Sequence, residues 1–290
     1  MDNLLFYKEK TEQAILDVLQ SYGEQGTLGK ACHYALVQGG KRVRPSISMM
    51  VADALNKNYS ANQSAVTIEF FHTASLIGDD LPCMDDDDLR RERPALHKAY
   101  NEGLALLSTY ALIASGYELI SRNTRVLIDS GMAVEEANHR CFLALENATH
   151  NTGFFGATGG QYLDLCPPNY EEATILEIIK RKTSSLFEVS FVFGWLFGGG
   201  DIARLEQVKD LGQCYGTAFQ IVDDLHDFED DVKLEQNVNY ACLFGVEQAS
   251  KKIEKELKRF ESGIKELNIA SASLMKLKTA LLDSLLLATT

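Results

Sequence analysis

The chain reads as an all-α bundle of about ten or more helices, folded as a single domain over residues 1–290. Three observations carry this reading. Apolar residues recur at helical spacing through most of the sequence. No segment sustains the two-residue alternation of a half-buried strand between turn signals. No Pro/Gly/Ser-rich linker or low-complexity tract interrupts the 290 residues, of which 46% are hydrophobic, so one core with its sites inside the bundle is expected.

Taken in order, residues 4–22 form a first amphipathic helix. Pro45 opens a second that runs to about residue 55, because a proline is tolerated in a first helical turn. Residues 62–80 make a long helix with Val66, Phe70, Thr73 and Ile77 at helical spacing. Residues 104–121 are apolar nearly all round, the pattern of a central buried helix. Further helices are expected over 133–149, 156–165, 170–197, 202–227, 246–267 and 271–287. Gly198-Gly199-Gly200 marks a break between two of them.

The formal net charge is 28 − 41 = −13. That excess argues against electrostatic binding to nucleic acid or an anionic membrane. It does not exclude an anionic substrate, since bound cations and a few placed arginines reverse a local field. The six cysteines are scattered with no Cys-x-x-Cys pair, so reduced thiols are expected. Met1-Asp2-Asn3-Leu4-Leu5-Phe6 has no basic stretch leading an apolar segment, so no signal peptide is expected. No apolar run reaches the ~18 residues of a membrane span. The expected location is the cytoplasm.

Two acidic clusters, Asp79-Asp80-Leu81-Pro82-Cys83-Met84-Asp85 and Asp223-Asp224-Leu225-His226-Asp227, each follow an apolar helical stretch. Carboxylates set beside apolar surface are costly unless cations neutralise them. Oxygen-only ligands at this spacing suit magnesium, which bridges carboxylates to substrate phosphates. On a helix Asp223 and Asp227 share one face, and Gln220 joins it one turn earlier. His72 lies two turns before Asp79. The acidic run continues through Asp86, Asp87 and Asp88, then meets Arg90 and Arg91, whose guanidinium forks match phosphate oxygens. A third constellation, Gly39-Gly40-Lys41-Arg42-Val43-Arg44-Pro45, sets Lys41 and Arg44 on one face; it is not a P-loop. Lys182-Thr183 and Gly159-Gly160-Gln161 with Asp164 gain meaning only if they face the same cavity. Each piece alone is compatible with a solvated surface; together they describe a polar mouth for diphosphates above an apolar shaft.

The ordered set Gly-Gly-Lys-Arg-Val-Arg-Pro, Asp-Asp-Leu-Pro-Cys-Met-Asp-Asp-Asp-Asp-Leu-Arg-Arg, Gly-Gly-Gln, Lys-Thr and Phe-Gln-Ile-Val-Asp-Asp-Leu-His-Asp closely resembles the short-chain trans-polyprenyl diphosphate synthases, which include farnesyl and geranylgeranyl diphosphate synthases. The resemblance spans roughly residues 39–245. It implies an all-helical homodimer that joins isopentenyl diphosphate to an allylic diphosphate. Three magnesium ions are implied, held by Asp79, Asp80 and Asp85 of the first motif and Asp223, Asp224 and Asp227 of the second. Lys41, Arg44, His72 and Arg91 resemble the isopentenyl diphosphate ligands. Arg90, Lys182, Thr183 and Gln220 resemble groups on the allylic side. The implied chemistry is ionisation of the allylic diphosphate, with Arg90 and Lys182 steadying the departing group and Thr183 and Gln220 facing the cation.

In that family, residues about one turn before the first motif help set product length, and an aromatic side chain there stops growth at farnesyl. Here they are Ala74 and Ser75, both small, so geranylgeranyl diphosphate is expected over farnesyl diphosphate unless Phe70, Phe71 or Tyr110 plugs the shaft. The chain departs from the pattern in three places. Gly78 sits where relatives often carry histidine, and Ser108-Thr109 where Gly-Asp is common. The segment 228–241 looks shortened, with Lys233 its only lysine. The altered segment keeps open a non-catalytic subunit of a heteromeric synthase. A class I terpene cyclase is the other alternative, although such an enzyme has no need of a second diphosphate site. No EF-hand loop is present.

Overall fold

The computed structural model describes residues 3–233 and 238–288. Its N-terminal half comprises α1 (Asn3–Tyr22), α2 (Gly26–Leu36), α3 (Val43–Leu55) and α4 (Asn62–Asp79). A small antiparallel hairpin of β1 (Leu89–Arg90) and β2 (Arg93–Pro94) follows, pairing Leu89 with Pro94 and Arg90 with Arg93. Then come α5 (Leu96–Ala99), α6 (Glu102–Asp129), α7 (Val134–Thr152), α8 (Ala157–Leu165) and α9 (Glu172–Ile179). A π-helical turn, Lys180–Ser184, joins α9 to α10 (Ser185–Phe197). A 3-10 turn, Ile202–Arg204, precedes α11 (Leu205–His226), α12 (Phe228–Lys233), α13 (Tyr240–Phe244), α14 (Val246–Glu266) and α15 (Ala272–Ala288).

The all-α expectation holds, and the differences have physical causes. The helix expected over 170–197 is broken by the π turn. A π turn adds a residue to the helical circuit and is frequent at functional sites. The central buried helix is α10, not α6: every residue from Ser185 to Phe197 is buried, against α3, α4, α7 and α11. α6 packs on α4 and α7 by one face and leaves Leu106, Leu107, Tyr110 and Ile113 exposed on another. An all-round apolar pattern cannot distinguish a covered face from an open one. Among the described residues α6 is also the one helix long and apolar enough, by length and composition, to cross a membrane. α2, α5, α12 and α13 were not expected. Two helix starts are set by side chains the periodicity does not weigh: Asn101 accepts from Leu104 N (2.8 Å) to cap α6, and Asn239 accepts from Cys242 N (2.9 Å) to cap α13.

Two buried polar knots fix the layers. Arg42, 3% exposed and left-handed (φ 51°) at the start of α3, donates to Glu12 Oε1 at 2.8 Å, to Glu69 and to the Leu36 carbonyl. It ties α1, α2, α3 and α4 together. Glu188, in α10, accepts from Asn147 (2.6 Å) and Asn151 (2.9 Å) of α7 and from Gln213 (2.7 Å) of α11. Such a buried carboxylate is tolerated because its oxygens are occupied by donors. The segment after the second acidic motif lies partly outside the described residues, and the side chain of Lys233 falls outside with it.

Candidate active site

The first acidic motif turns back on itself. α4 ends at Asp79, and Pro82 prevents its continuation. Asp85 N then bonds the Asp79 carbonyl at 2.9 Å and Met84 N the Leu81 carbonyl at 2.8 Å, which brings Asp85 beside Asp79. Burial pushes the Asp79 carboxyl up to about 6, opposed first by the positive charge of Lys182. Burial also raises Asp85, and Lys182 opposes it there too. Asp80 has turned inward, 3% exposed; Arg90 grips it with Nε at 2.8 Å and reaches Asp87 at 2.8 Å.

Lys182 comes from the π turn and bonds Asp164 of α8. The two elements touch backbone to backbone: a Cβ on Gly160 would stand 2.2 Å from Lys182 N, so only glycine allows the approach. Next to Gly160, both amide atoms of Gln161 are buried without a partner. Sequence reasoning weighed Gly160, Gln161 and Asp164 without assigning them a role; the Gly-Gly-Gln-x-x-Asp spacing was the available signal.

Thr183, the next residue of the π turn, donates to Gln220 Oε1 at 2.6 Å, and Gln220 Nε2 donates to Asp224 at 2.8 Å. Asp224 also accepts from Tyr240 N at 2.9 Å, yet burial still pushes its carboxyl up to about 7. The carboxyl of Asp223, on the same helix, is raised by burial and opposed by Lys41 and Arg44. Asp227 lies just past the end of α11 and is exposed.

The basic constellation divides in two. Lys41 is exposed and Arg42 is consumed by the buried knot. Arg44 stacks on Phe187 (4.4 Å) and Phe219 (5.7 Å) and sits 3.5 Å from His72 Nε2. Arg91, held at φ 52°, donates to the Gly39 carbonyl and so joins the hairpin to the glycine turn. Burial, then the charges of Arg44 and Arg91, holds His72 well below the ordinary histidine range, so it is neutral at pH 7. Burial pushes Arg44 down to about 10, and its Nε is buried without a partner. Such a half-desolvated cationic cluster is suited to receive an anion.

Ala74 is buried, and Ser75 turns its hydroxyl to the His72 carbonyl at 2.9 Å. Phe71, Ser75 and Asp79 follow one another at four-residue steps, hence along one face of α4. The Phe71 ring lies where a Cβ on Gly116 would be, 2.5 Å away, and beside Tyr117. Tyr110, on α6, is 59% exposed. Phe70 instead lines a separate groove of about 950 Å³ between α2 and α6, which contains none of the expected site residues. Apart from its own chain neighbours and helix backbone, nothing lies within 4 Å of a Cβ built on Gly78, where relatives of the resembled type often carry histidine.

Residues 25–239 match the family model described as polyprenyl synthetase. The chain is 33% identical over 268 residues to geranylgeranyl pyrophosphate synthase 3, chloroplastic, of Arabidopsis thaliana, covering 87% of this chain and 72% of that one. In structure it is similar to a geranyltransferase of Legionella pneumophila, with a TM-score of 0.83, 26% identity and coverage of 97% of this chain and 95% of that one. It is also similar to an FPP/GFPP synthase of Zymomonas mobilis, with a TM-score of 0.78, 26% identity and coverage of 96% and 98%.

Proposed function

Because the chain belongs to the polyprenyl synthetase family and is a trans-prenyltransferase, we propose that it condenses isopentenyl diphosphate head to tail with an allylic diphosphate, whether dimethylallyl, geranyl or farnesyl. The product favoured is geranylgeranyl diphosphate over farnesyl diphosphate. The observation that carries the reading is the pair Lys182-Thr183. The charge of Lys182 acts on Asp79 and Asp85 of the first motif, while Thr183 bonds Gln220 on the helix of the second. Both acidic motifs thus face one mouth.

The donors there are oxygen only, and Asp79, Asp85 and Asp223 are carboxylates that burial has made costly to ionise. That set fits magnesium. Asp79, Asp80 and Asp85 with Asp223, Asp224 and Asp227 are the ligands we assign to three magnesium ions, which when bound supply positive charge to a departing diphosphate. Lys41, Arg44, His72 and Arg91 take the diphosphate of isopentenyl diphosphate. Arg90 and Lys182 steady the leaving diphosphate as the allylic C–O bond breaks. The Thr183 and Gln220 oxygens turn their dipoles to the cation. The isopentenyl double bond attacks, a C–C bond forms, and the released diphosphate takes the proton.

The small side chains Ala74 and Ser75 leave length for a twenty-carbon product, and Phe71 against Gly116 bounds the shaft one turn deeper. The exposed apolar side chains Leu106, Leu107 and Tyr110 of α6 and Phe142 of α7 support a homodimer; light scattering of the purified protein tests it. Six unpaired cysteines suit a reducing cytoplasm. The deciding assay is incubation of the purified chain with magnesium, labelled isopentenyl diphosphate and an allylic primer. A product that stops at farnesyl under excess isopentenyl diphosphate rejects the longer product. Absence of turnover by the chain alone favours the non-catalytic subunit, and a hydrocarbon formed from the allylic diphosphate alone favours the cyclase.

A further inference from the structure

The hairpin has a second consequence, independent of the prenyl chemistry. The backbone of Asp88 enters β1 and that of Ala95 leaves β2, joined by Ala95 N to the Asp88 carbonyl at 2.9 Å. This closure brings the chain just before the hairpin against the chain just after it. Asp86, at φ 52°, and Asp88 come from the entry, and His97 from α5 at the exit. Their ligand atoms all lie within 4.8 Å of one another, and among the described residues no other three His, Cys, Asp or Glu side chains do so.

His97 sets this apart from an ordinary solvated acidic run. It is 7% exposed, and both ring nitrogens are buried without a hydrogen-bond partner. A buried imidazole with neither nitrogen satisfied bears an uncompensated desolvation cost and is uncommon in folded proteins. Yet the ring lies within 4.8 Å of two exposed carboxylates without hydrogen-bonding to either. Two metal–ligand bonds end to end span about 4.2 Å. The 4.8 Å bound on the three ligand atoms is close to that span, and the two aspartates are exposed. Asp88 now pairs with Lys98 at 2.7 Å, an exposed ion pair that water and salt weaken and a divalent ion displaces.

The geometry points to a divalent transition-metal site formed by Asp86, Asp88 and His97 at the base of the hairpin. One imidazole with two carboxylates selects zinc, cobalt or manganese over magnesium, which prefers oxygen alone and keeps its waters. Its occupant is thus distinct from the ions of the oxygen-only mouth. Water fills the remaining positions. The ion clasps both ends of the hairpin that presents Arg90 and Arg91, and so braces the two arginines from behind.

The test is a titration of the whole purified chain with Co²⁺ under a large excess of magnesium, read by calorimetry, visible absorption and X-ray absorption at the cobalt edge. Wild type is expected to bind one equivalent more than His97→Gln or Asp86→Asn, or to bind that equivalent at least tenfold more tightly, with imidazole scattering that the His97 variant lacks. Equal stoichiometry and affinity in wild type and both variants overturns the proposal, as does failure of wild type to retain cobalt against magnesium. Should His97→Gln fail to fold, Asp86→Asn alters an exposed side chain and carries the same comparison.

Discussion

Arg42→Met is the sharpest perturbation of the basic constellation, because it separates structural charge from substrate-binding charge. The Arg42 side chain is fully buried, and that of its partner Glu69 is 2% exposed. Removing it leaves Glu69 as a buried, unpaired carboxylate and the Leu36 carbonyl without its donor. Breaking a buried pair from one side costs about 3–5 kcal/mol. Glu12, partly exposed, adds little. With a urea slope of about 3 kcal/mol per molar, the midpoint falls by about 1 to 1.7 M. Adding Glu69→Leu removes the stranded charge, so the double variant is expected to recover at least half of that loss. Urea denaturation followed by circular dichroism measures both. A shift below about 0.3 M for Arg42→Met, or a double variant no more stable than the single one, refutes the assignment.

Asp79→Ala and Asp223→Ala are each expected to lower turnover by about three orders of magnitude or more while the thermal midpoint stays near that of wild type; near-normal steady-state rates in either contradict the metal assignment. Gly160→Ala forces a Cβ into the backbone of Lys182, so both the thermal midpoint and kcat are expected to fall, and an unchanged kcat means Lys182 is not placed by that crossing. Ala74→Phe is expected to shorten the product by chromatography; unaltered chain length puts the floor elsewhere. Burial raises Asp79 to about 6 and Asp224 to about 7. Both groups therefore hold protons more tightly folded than unfolded, and they stabilise the cation-free fold at low pH and lose that contribution as pH rises from about 4 to about 7. The same shifts make protons compete with cations, so the magnesium needed for half-maximal rate rises between about pH 8 and about pH 6; a flat requirement over that range counts against these carboxylates as ligands.

The fold class, the long helices and the acidic motifs were legible because each is a local property of the chain. Periodicity records which residues share a face, and Pro82 or the three glycines at 198–200 record where a helix stops. The break inside 170–197 was not legible. Its sequence is helical throughout, and the π turn is a choice of one hydrogen-bond register over another with nearly the same side chains. The short helices α2, α5, α12 and α13 carry too little periodic signal of their own and are held by packing and caps.

The site followed the same division. The sequence alone determined which chemistry is available: carboxylates in two clusters, basic groups in three, and small residues one turn before Asp79. Only the tertiary structure decided which of those groups meet. Lys41, Arg42 and Arg44 look equivalent along the chain, yet Arg42 is buried against Glu69 and Arg44 faces His72 and Asp223. Asp80 and Asp224 look like their neighbours but are occupied by Arg90 and by Gln220 with Tyr240. Charge and spacing are fixed by covalent order, whereas burial and pairing arise from contacts between segments far apart in the chain. Those contacts set the cost of each charge.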